Sequence, residues 1–325
     1  MRTITYSQTA AFLECRRKWS YRYVREIVPS ETPPSLILGS AVHAGIAFYL
    51  QWRSREGAVE AALARGAEMG MRTEDSCKAQ VMVEGYCDKW HDDDVYQVET
   101  PFSSQIINPR TRRPMREWFI AGQPDAVVRR GDELWIMEHK TTSSITDLYI
   151  QRIAIDAQIA LYAWALTHLG TPIKGAIYDI VEKPSCRWKQ GETEEEFEAR
   201  KAALEAKSGK KSSAKRSISD TYDTFLARCK ESMSDKSYRR VEVPLSPERQ
   251  AEAMQDFVQI AKDMRKASIY PCVQACSRFD GCPYLPLCLA HGDMDACEGL
   301  YKRERANSEL GRKFGASESD EGSGV

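Results

Sequence analysis

The sequence predicts an α/β fold in which helices flank a central mixed sheet behind a helical N-terminal portion. Two observations support this prediction. Helical patterns fill the stretch before residue 93, and short apolar runs of strand length follow it up to residue 140. Helices and strands then alternate as far as residue 266, an order that covers both faces of a sheet.

The individual elements follow from these patterns. The N-terminal helices are predicted at residues 7–25, 36–55, 57–69 and 71–92, and strands follow at 95–107, 117–121, 125–130 and 133–140. Further helices are predicted at 147–169, 193–207, 220–232 and 247–266, with strands at 174–182 and 238–243. Thr193 and Glu196 have the spacing of a capping box at the start of an exposed helix.

The two strands at 125–130 and 133–140 are predicted to form a β-hairpin, because a two-residue loop that begins with glycine separates them. Pairing outward from this loop sets Asp125 opposite Glu138, where side chains lie roughly 4.5–5.5 Å apart and like charges repel. Lys140 projects from the same face as Glu138, since strand side chains alternate. The hairpin therefore predicts two oxygen ligands and one ammonium around a cation.

Carboxylates with open water positions suit Mg²⁺ or Mn²⁺, which bind few protein oxygens and leave room for phosphate oxygens. Such a cation lowers the pKa of its water and neutralises charge on a phosphoryl group. Lys140 can orient that water, or help to deprotonate it if a partly desolvated cleft lowers the lysine pKa. The alternative is a surface ion pair between Glu138 and Lys140. Residues 134–137 argue against it, because they are apolar on both faces, as in a central strand.

Two predicted helices add polar side chains that fit this chemistry. His43 follows Gly39 by one helical turn, and a neutral imidazole is a reasonable further ligand that would favour Mn²⁺. Gln158 and Tyr162 are four residues apart on one helix face, where they can position DNA or metal-bound water. Taken alone, such residues are more often ordinary core or surface groups. Glu99 is a weaker candidate for an additional acid near the metal.

Together these residues resemble the PD-(D/E)XK nuclease superfamily in its RecB-like branch, which includes the nuclease domains of RecB and AddB, CRISPR-associated RecB-like exonucleases and phage exonucleases. The resemblance spans about residues 7–288 and is carried by Gly39 with His43, Gly122-x-x-Asp125, Glu138-x-Lys140 and Gln158-x-x-x-Tyr162. It implies a restriction-endonuclease-like core with a central mixed sheet. It further implies metal binding by Asp125, Glu138 and the backbone carbonyl of His139, an extra ligand in His43, and catalytic roles for Lys140, Gln158 and Tyr162.

Ten cysteines give a second, nearly independent line of inference. Residues 1–10 lack the apolar region of a signal peptide, and no apolar run is long enough to span a membrane. We therefore expect a cytoplasmic protein, in the host cytoplasm if the chain is phage-encoded, whose cysteines are thiols or metal ligands. Cys276, Cys282 and Cys288 follow one another at five-residue gaps in a loop rich in glycine and proline. Cys15, near the end of a predicted helix, can supply the fourth ligand.

This arrangement resembles the iron–sulfur version of the RecB-like nucleases, with one N-terminal and three C-terminal cysteines. The resemblance implies that Cys15, Cys276, Cys282 and Cys288 bind a 4Fe-4S cluster that clamps the two ends of the chain together. Zinc stays an alternative, although the gaps differ from the shorter spacing usual in structural zinc sites. Competing or unrelated thiols are Cys272, which can replace Cys276, Cys297 as a weaker competitor, and Cys77, Cys87, Cys186 and Cys229 as ordinary buried residues.

The formal net charge of −1 requires that any affinity for DNA come from local patches. One patch mixes cations and aromatic rings in a way that suits phosphate contact and base stacking on a single strand. For every patch a merely solvated surface is at least as common. The three patches are Arg16-Arg17-Lys18 with Trp19, Tyr21 and Tyr23; Arg110, Arg112, Arg113 and Arg116; and the segment from Lys207 to Arg216.

The motifs are interleaved from one end of the chain to the other, which favours a single nuclease domain at residues 1–305. We predict a helical part at about 1–94, a catalytic core at about 95–185, a basic insertion at about 186–219 and C-terminal helices with the cysteine loop at about 220–305. Residues 306–325 are predicted to be disordered because they are polar, acidic and rich in glycine and serine.

The sequence thus predicts a DNA exonuclease that uses Mg²⁺ or Mn²⁺ and carries a 4Fe-4S cluster. It would act on DNA ends or single strands in phage or prokaryotic replication, recombination or end processing, with a helicase or recombinase as candidate partner and no membrane. One alternative is a DNA-binding or helicase-partner module with a silent nuclease site, against which the intact set of Asp125, Glu138 and Lys140 argues. A structural zinc protein is the other alternative.

Overall fold

The N-terminal part of the chain is mainly helical. The computed structural model describes residues 2–277 and 281–306. No helix within these ranges is long and apolar enough to cross a membrane. The elements are β1 (Arg2–Ile4), α1 (Tyr6–Glu14), α2 (Arg16–Trp19), a π-helical turn (Ser20–Val24), β2 (Ile27–Pro29), α3 (Pro34–Trp52), α4 (Arg55–Glu68) and α5 (Thr73–Lys89).

The remainder alternates strands with helices. Its strands are β3 (Asp94–Val98), β4 (Phe102–Ile107), β5 (Pro114–Gly122), β6 (Ala126–Arg130), β7 (Glu133–Thr142), β8 (Ile173–Glu182), β9 (Tyr238–Pro244) and β10 (Tyr301–Arg303). Its helices are α6 (Asp147–Ala154), α7 (Ala157–His168), α8 (Glu194–Ser208), α9 (Tyr222–Ser232), α10 (Pro247–Arg265) and α11 (Leu285–Leu289). The tail predicted to be disordered lies, from residue 307 on, outside the described residues.

Three of the predicted elements are interrupted. The first helix breaks at Cys15, where an extended backbone (φ −160°, ψ 115°) ends α1 before α2 begins. The stretch 95–107 is split into β3 and β4, with Glu99 between them at a φ of 44°. The predicted helix 147–169 breaks before Asp156, whose side chain accepts a hydrogen bond from the Gln158 amide (2.9 Å) and so caps α7.

A five-stranded sheet of order β3-β6-β7-β8-β9 forms the centre of the fold. Strands β7 and β8 run parallel and the other neighbouring pairs run antiparallel. One face packs Met137 and Ile177 into a core with α3 and α5, while the other packs Ile136 and Ala176 against α7 and α10. The predicted mixed sheet with helices on both faces is thereby confirmed.

The predicted register of the β6–β7 hairpin is also confirmed. Pairing runs from Arg130 with Glu133 to Ala126 with Met137, and Gly131 has the positive φ (61°) that the tight turn requires. The pairing stops one residue before Asp125. Asp125 is therefore joined to its neighbours by two other hydrogen bonds, in which its side chain accepts from β7 and its carbonyl accepts from Glu99, the residue after β3.

The two ends of the described chain meet in a separate small core. Strands β2 and β10 pair antiparallel, and the Tyr284 hydroxyl donates to the Ile27 carbonyl (2.9 Å). Tyr21, Ile27, Leu287 and Tyr301 are buried together with Tyr284. Hydrogen bonds and apolar packing thus already join the N-terminal segment to the C-terminal cysteine segment.

The predicted insertion at 186–219 projects from the domain, and helix α8 buries none of its residues. The predicted capping box of Thr193 and Glu196 is present. At the base of the insertion, the sulfur atoms of Cys186 and Cys229 are 2.8 Å apart, and Cys77 belongs to the same buried cluster. These three thiols are therefore neighbours, although no pattern in the sequence groups them.

Candidate active site

Asp125 is held at the edge of β6 from both sides. Its carbonyl accepts a hydrogen bond from the Glu99 amide (2.9 Å), and its Oδ2 accepts one from the His139 amide (2.7 Å). The Nδ1 of His43, from α3, lies 3.4 Å from Oδ1, and the Nδ1 of His139 lies 3.2 Å from Oδ2. The backbone of Asp125 is thus held by Glu99, the residue after β3, and its carboxylate is positioned by α3 and β7.

The two histidines also determine the charge of this carboxylate. Burial would raise the pKa of Asp125, but His43 and His139 hold that pKa well below its ordinary value. Burial in turn lowers the pKa of His43, and the Asp125 carboxylate more than offsets this, so the net shift is upward. Asp125 is therefore an anion at neutral pH and a favourable partner for a cation.

Glu138, Lys140 and Gln158 form a hydrogen-bonded triangle beside Asp125. Lys140 Nζ lies 2.7 Å from Glu138 Oε1 and 3.3 Å from Gln158 Oε1, and Gln158 Nε2 donates to Glu138 Oε1 (3.1 Å). The predicted projection of Lys140 from the face of Glu138 is thus confirmed. Gln158 reaches them from the first turn of α7, a position set by the Asp156 cap.

The pKa shifts of Glu138 and Lys140 allow Glu138 to bind a proton near neutral pH and keep Lys140 positively charged. Burial, followed by the nearby Asp125 carboxylate, raises the pKa of Glu138 to about 7 against the opposing effect of Lys140. For Lys140, burial lowers the pKa, but the Glu138 carboxylate raises it more, and the net shift is upward. Without a metal ion, the pKa of Lys140 is therefore raised rather than lowered. Lys140 is an ammonium that can orient a water or a phosphate oxygen.

Tyr162 is mainly a packing residue. It is 7% exposed, and its ring lies so close to Gly122 that a Cβ atom there would come within 2.5 Å of it. It also makes an edge-to-face contact with Phe102 (5.2 Å between centroids), and burial raises the pKa of its phenol to about 12. Tyr162 lines the same cavity as Asp125. Gly122 is required at this position because it makes room for the ring.

A buried chain of polar groups behind Asp125 was missed by sequence reasoning. His139 Nε2 lies 3.0 Å from the Tyr86 hydroxyl, which donates to Asp179 Oδ2 (3.2 Å). Arg240 pairs with Asp179 (2.6 Å) and with Asp93 (2.8 Å). The one signal in the sequence is an aspartate, 0% exposed in the structure, within the apolar run of β8. A buried carboxylate of this kind needs a paired cation.

Asp125 opens onto a cavity of about 1060 Å³, which His43 and Glu99 also line. Among residues 2–277 and 281–306, no three His, Cys, Asp or Glu side chains converge closely enough to hold one metal ion. Mg²⁺ usually needs only one or two protein carboxylates and keeps several waters. The carboxylates of Asp125 and Glu138 are donors of this kind.

The four predicted cluster cysteines lie in one region. Cys15 acts electrostatically on Cys276, Cys282 and Cys288, and burial is the main cause of the raised pKa of those three thiols. The amide of Cys272 donates to Cys15 Sγ (3.3 Å), while the Cys272 thiol faces Gln274. Residues 278–280 of the loop lie outside the described residues.

The three basic patches differ in their relation to the cavity. Trp19 and Tyr21 are buried, so the expectation that they stack on bases is wrong, but Tyr23 lines the cavity. The arginine loop at 110–116 lies at the opposite end of β5 from Gly122, roughly 25 Å away at about 3.3 Å per residue. The segment 207–216 is mostly exposed beyond α8.

Comparison with known proteins agrees with this geometry. A sequence model of the PD-(D/E)XK nuclease superfamily matches residues 3–289, and the chain belongs to this superfamily. Membership implies a nuclease that acts on DNA, and such nucleases commonly use Mg²⁺ or Mn²⁺. A search of curated proteins gave no match. Among solved structures, the chain is similar to "Crystal structure of SSO0001" at 11% identity and a TM-score of 0.29, covering 72% of this chain and 76% of that one.

Proposed function

We propose that this protein is a DNA exonuclease of the RecB-like branch that hydrolyses phosphodiester bonds with Mg²⁺ or Mn²⁺. The observation that carries the proposal is the hydrogen-bonded triangle of Glu138, Lys140 and Gln158 beside an ionised Asp125. Asp125 in turn lines a cavity of about 1060 Å³. The proposed setting is DNA replication, recombination or end processing, and a helicase or recombinase is the candidate partner.

Each residue of the site has a proposed role. Asp125 and Glu138 would hold the metal with the backbone carbonyl of His139, and His43 would be an additional ligand. When bound, the cation would activate a water and neutralise charge on the phosphoryl group. The Lys140 ammonium orients the attacking water and stabilises the anionic transition state. Gln158 keeps Lys140 and Glu138 in place, because it hydrogen-bonds to both.

We also propose that Cys15, Cys276, Cys282 and Cys288 bind a 4Fe-4S cluster, as in the iron–sulfur members of the branch. The proposal is supported by the location of the four thiols in one region, where Cys15 acts electrostatically on Cys276, Cys282 and Cys288. Within the described residues these thiols do not converge on a single ion, so binding of a cluster would draw them closer together. Nearby cations favour the thiolates that such ligands must become: Lys18 lowers the pKa of Cys282 and Arg17 lowers the pKa of Cys288, although burial outweighs both. Cys276 is the proposed ligand rather than Cys272 because Cys15 and Cys288 both act electrostatically on its thiol.

Digestion of end-labelled linear and closed circular DNA tests the exonuclease proposal. With Mg²⁺ or Mn²⁺, we expect loss of linear DNA only, with the label released as short products. EDTA should abolish the reaction. Cleavage of circles at the same rate as linear DNA would instead identify an endonuclease.

The pKa of Glu138 makes metal binding depend on pH. Since this carboxyl binds a proton below about pH 7 in the metal-free protein, proton and metal compete for it. We expect Mn²⁺ affinity, measured by calorimetry, to fall about tenfold for each unit below pH 7 and to level off above it. Glu138→Gln should bind Mn²⁺ more weakly and lose the part of this dependence that Glu138 causes, leaving the part that arises from His43, whose pKa is also raised. An affinity that is flat between pH 6 and pH 8 would contradict the assignment of Glu138.

Tyr86 is expected to affect metal binding without touching the metal. Its hydroxyl supports the imidazole of His139, which lies against Asp125, and the loss of such a supporting group typically weakens metal affinity about 10–100-fold. Tyr86→Phe should show this loss in a Mn²⁺ titration. Tyr49→Phe is the matched control, because its ring packs against Tyr86 while its hydroxyl bonds to the Cys87 carbonyl. Equal affinities in the two variants would show that the chain through Tyr86 does not position Asp125.

A further inference from the structure

The cavity that contains Asp125 adjoins a second cavity of about 680 Å³. The first is lined by His43 and Asp125, and the second by Gln158 and Tyr284. The lining residues that the two cavities share are Ser7, Arg22 and Tyr23. The two cavities therefore adjoin at these three side chains, and we refer to the adjoining cavities as the groove.

Arg22 has a guanidinium nitrogen that is buried without a hydrogen-bond acceptor among the described residues. It is half-buried, and its Nη1 is shielded from solvent without a hydrogen-bond partner among the described residues. Buried N–H groups nearly always have an acceptor, so an unsatisfied one calls for an explanation. Neighbouring cations of the groove are already engaged: Arg65 pairs with Glu68 (3.1 Å), and Lys18 pairs with Glu14 (2.7 Å). An anion that enters the groove would supply the acceptor that Arg22 lacks.

The surroundings of Arg22 favour a nucleic acid strand as the source of that anion. Tyr23 lies next to the guanidinium (5.5 Å to the ring centroid), and Tyr6, which is also only half-buried, lines the second cavity. A groove that combines cations with aromatic rings is the usual platform for a single strand, because the phosphates and the base faces are recognised separately. Sites for drug-sized molecules have volumes of roughly 300–1,000 Å³. The first cavity, at about 1060 Å³, lies at the upper end of this range and the second, at about 680 Å³, lies within it, so each has room for a few nucleotides of a single strand.

We propose that Arg22 binds a backbone phosphate of a single DNA strand that runs from the metal cavity, across Arg22 and Tyr23, into the cavity beside Tyr284. The inference rests on the proposed nuclease function for the identity of the ligand. It adds the path of the strand and a specific phosphate-binding residue, and it places the C-terminal cysteine segment along that path.

The test is binding of a fluorescein-labelled oligothymidylate in EDTA, where no metal-dependent cleavage occurs, measured by fluorescence anisotropy over a range of salt concentrations. Arg22→Gln should weaken binding about tenfold, since it removes a hydrogen bond to a charged group. It should also lower the slope of log affinity against log salt by about 0.7, the value for one phosphate contact on a single strand. Arg22→Lys should retain the slope, because the charge remains. Arg239→Gln, which changes an exposed arginine on β9 outside the groove and outside the three basic patches, is the matched control and should bind like the wild type.

The outcomes separate this inference from the nuclease proposal. If Arg22→Gln is folded, as judged by its thermal unfolding, and binds with the wild-type affinity and slope, the inference is wrong even if the wild type cleaves DNA. If the wild type shows no salt-dependent binding of the oligonucleotide, the inference is also wrong. Loss of binding in Arg22→Gln, with the slope restored in Arg22→Lys, supports it even if no cleavage is found.

Discussion

Replacement of Lys140 by alanine is expected to abolish most DNA cleavage while leaving metal binding nearly intact. The ammonium lies 2.7 Å from Glu138, one of the two proposed metal carboxylates, and 3.3 Å from Gln158. Removal of one preorganised group that stabilises transition-state charge costs about 10²–10³ in rate. We therefore expect a loss of that size in single-turnover cleavage, with Mn²⁺ affinity changed only a few-fold.

The pH of this experiment matters, because Lys140 also acts on its neighbour. The ammonium lowers the pKa of Glu138, so its removal would move that pKa further above 7. Part of the loss at neutral pH would then reflect a protonated Glu138, and this part should disappear at a pH well above 8. Lys174→Ala, an exposed lysine on β8, is the matched control. Cleavage by Lys140→Ala at the wild-type rate at high pH would remove Lys140 from the mechanism.

Replacement of Cys282 by serine is expected to remove the iron–sulfur cluster and to loosen the contact between the two ends of the chain. The wild type, purified without oxygen, should contain iron and acid-labile sulfide near stoichiometric amounts and be brown. Because a structural metal group contributes its binding energy to folding, the variant should be cut faster by protease near the small core of Tyr284 and Tyr301. Pairing of β2 with β10 would then hold the ends together alone.

Matched cysteine variants decide the ligand set. Cys87→Ser changes a buried cysteine outside the cluster region and should leave the iron content unchanged. Cys276→Ser should lose the cluster, because the Cys276 thiol lies within electrostatic reach of Cys15 and Cys288, whereas Cys272→Ser should retain it. Zinc without iron in the wild type would contradict the cluster, and retention of iron by both Cys276→Ser and Cys282→Ser would contradict the proposed ligands.

The parts of the site that depend on short-range chemistry were predictable from the sequence. The glycine turn and the alternation of strand side chains determine the β6–β7 register, and this register brings Glu138 and Lys140 together. Gln158 was placed correctly on a helix, although its exact position depends on a break that tertiary packing imposes at Asp156. Local pattern and tertiary structure agree wherever the deciding contacts lie within one hairpin or one helical turn.

The features that depend on distant residues were not predictable. Tyr86 is 53 residues from His139 and 93 from Asp179, so no local pattern connects them. Burial lowers the pKa of Lys140, but the Glu138 carboxylate beside it raises that pKa more, and a sequence motif does not specify this balance. Trp19 and Tyr21 resemble a stacking surface in the sequence, but their large apolar rings are buried in the core instead.

The most direct test of the central claim compares wild-type protein with Asp125→Ala on end-labelled DNA in Mg²⁺, in Mn²⁺ and in EDTA. Asp125 is the ionised carboxylate around which His43, His139 and Glu99 are arranged. If it holds a catalytic metal, the wild type degrades linear DNA with either cation, EDTA stops the reaction, and Asp125→Ala is inactive while still binding single strands. If the folded wild type, with its metal content verified, is as inert as Asp125→Ala on every form of DNA, the protein is not a nuclease on its own.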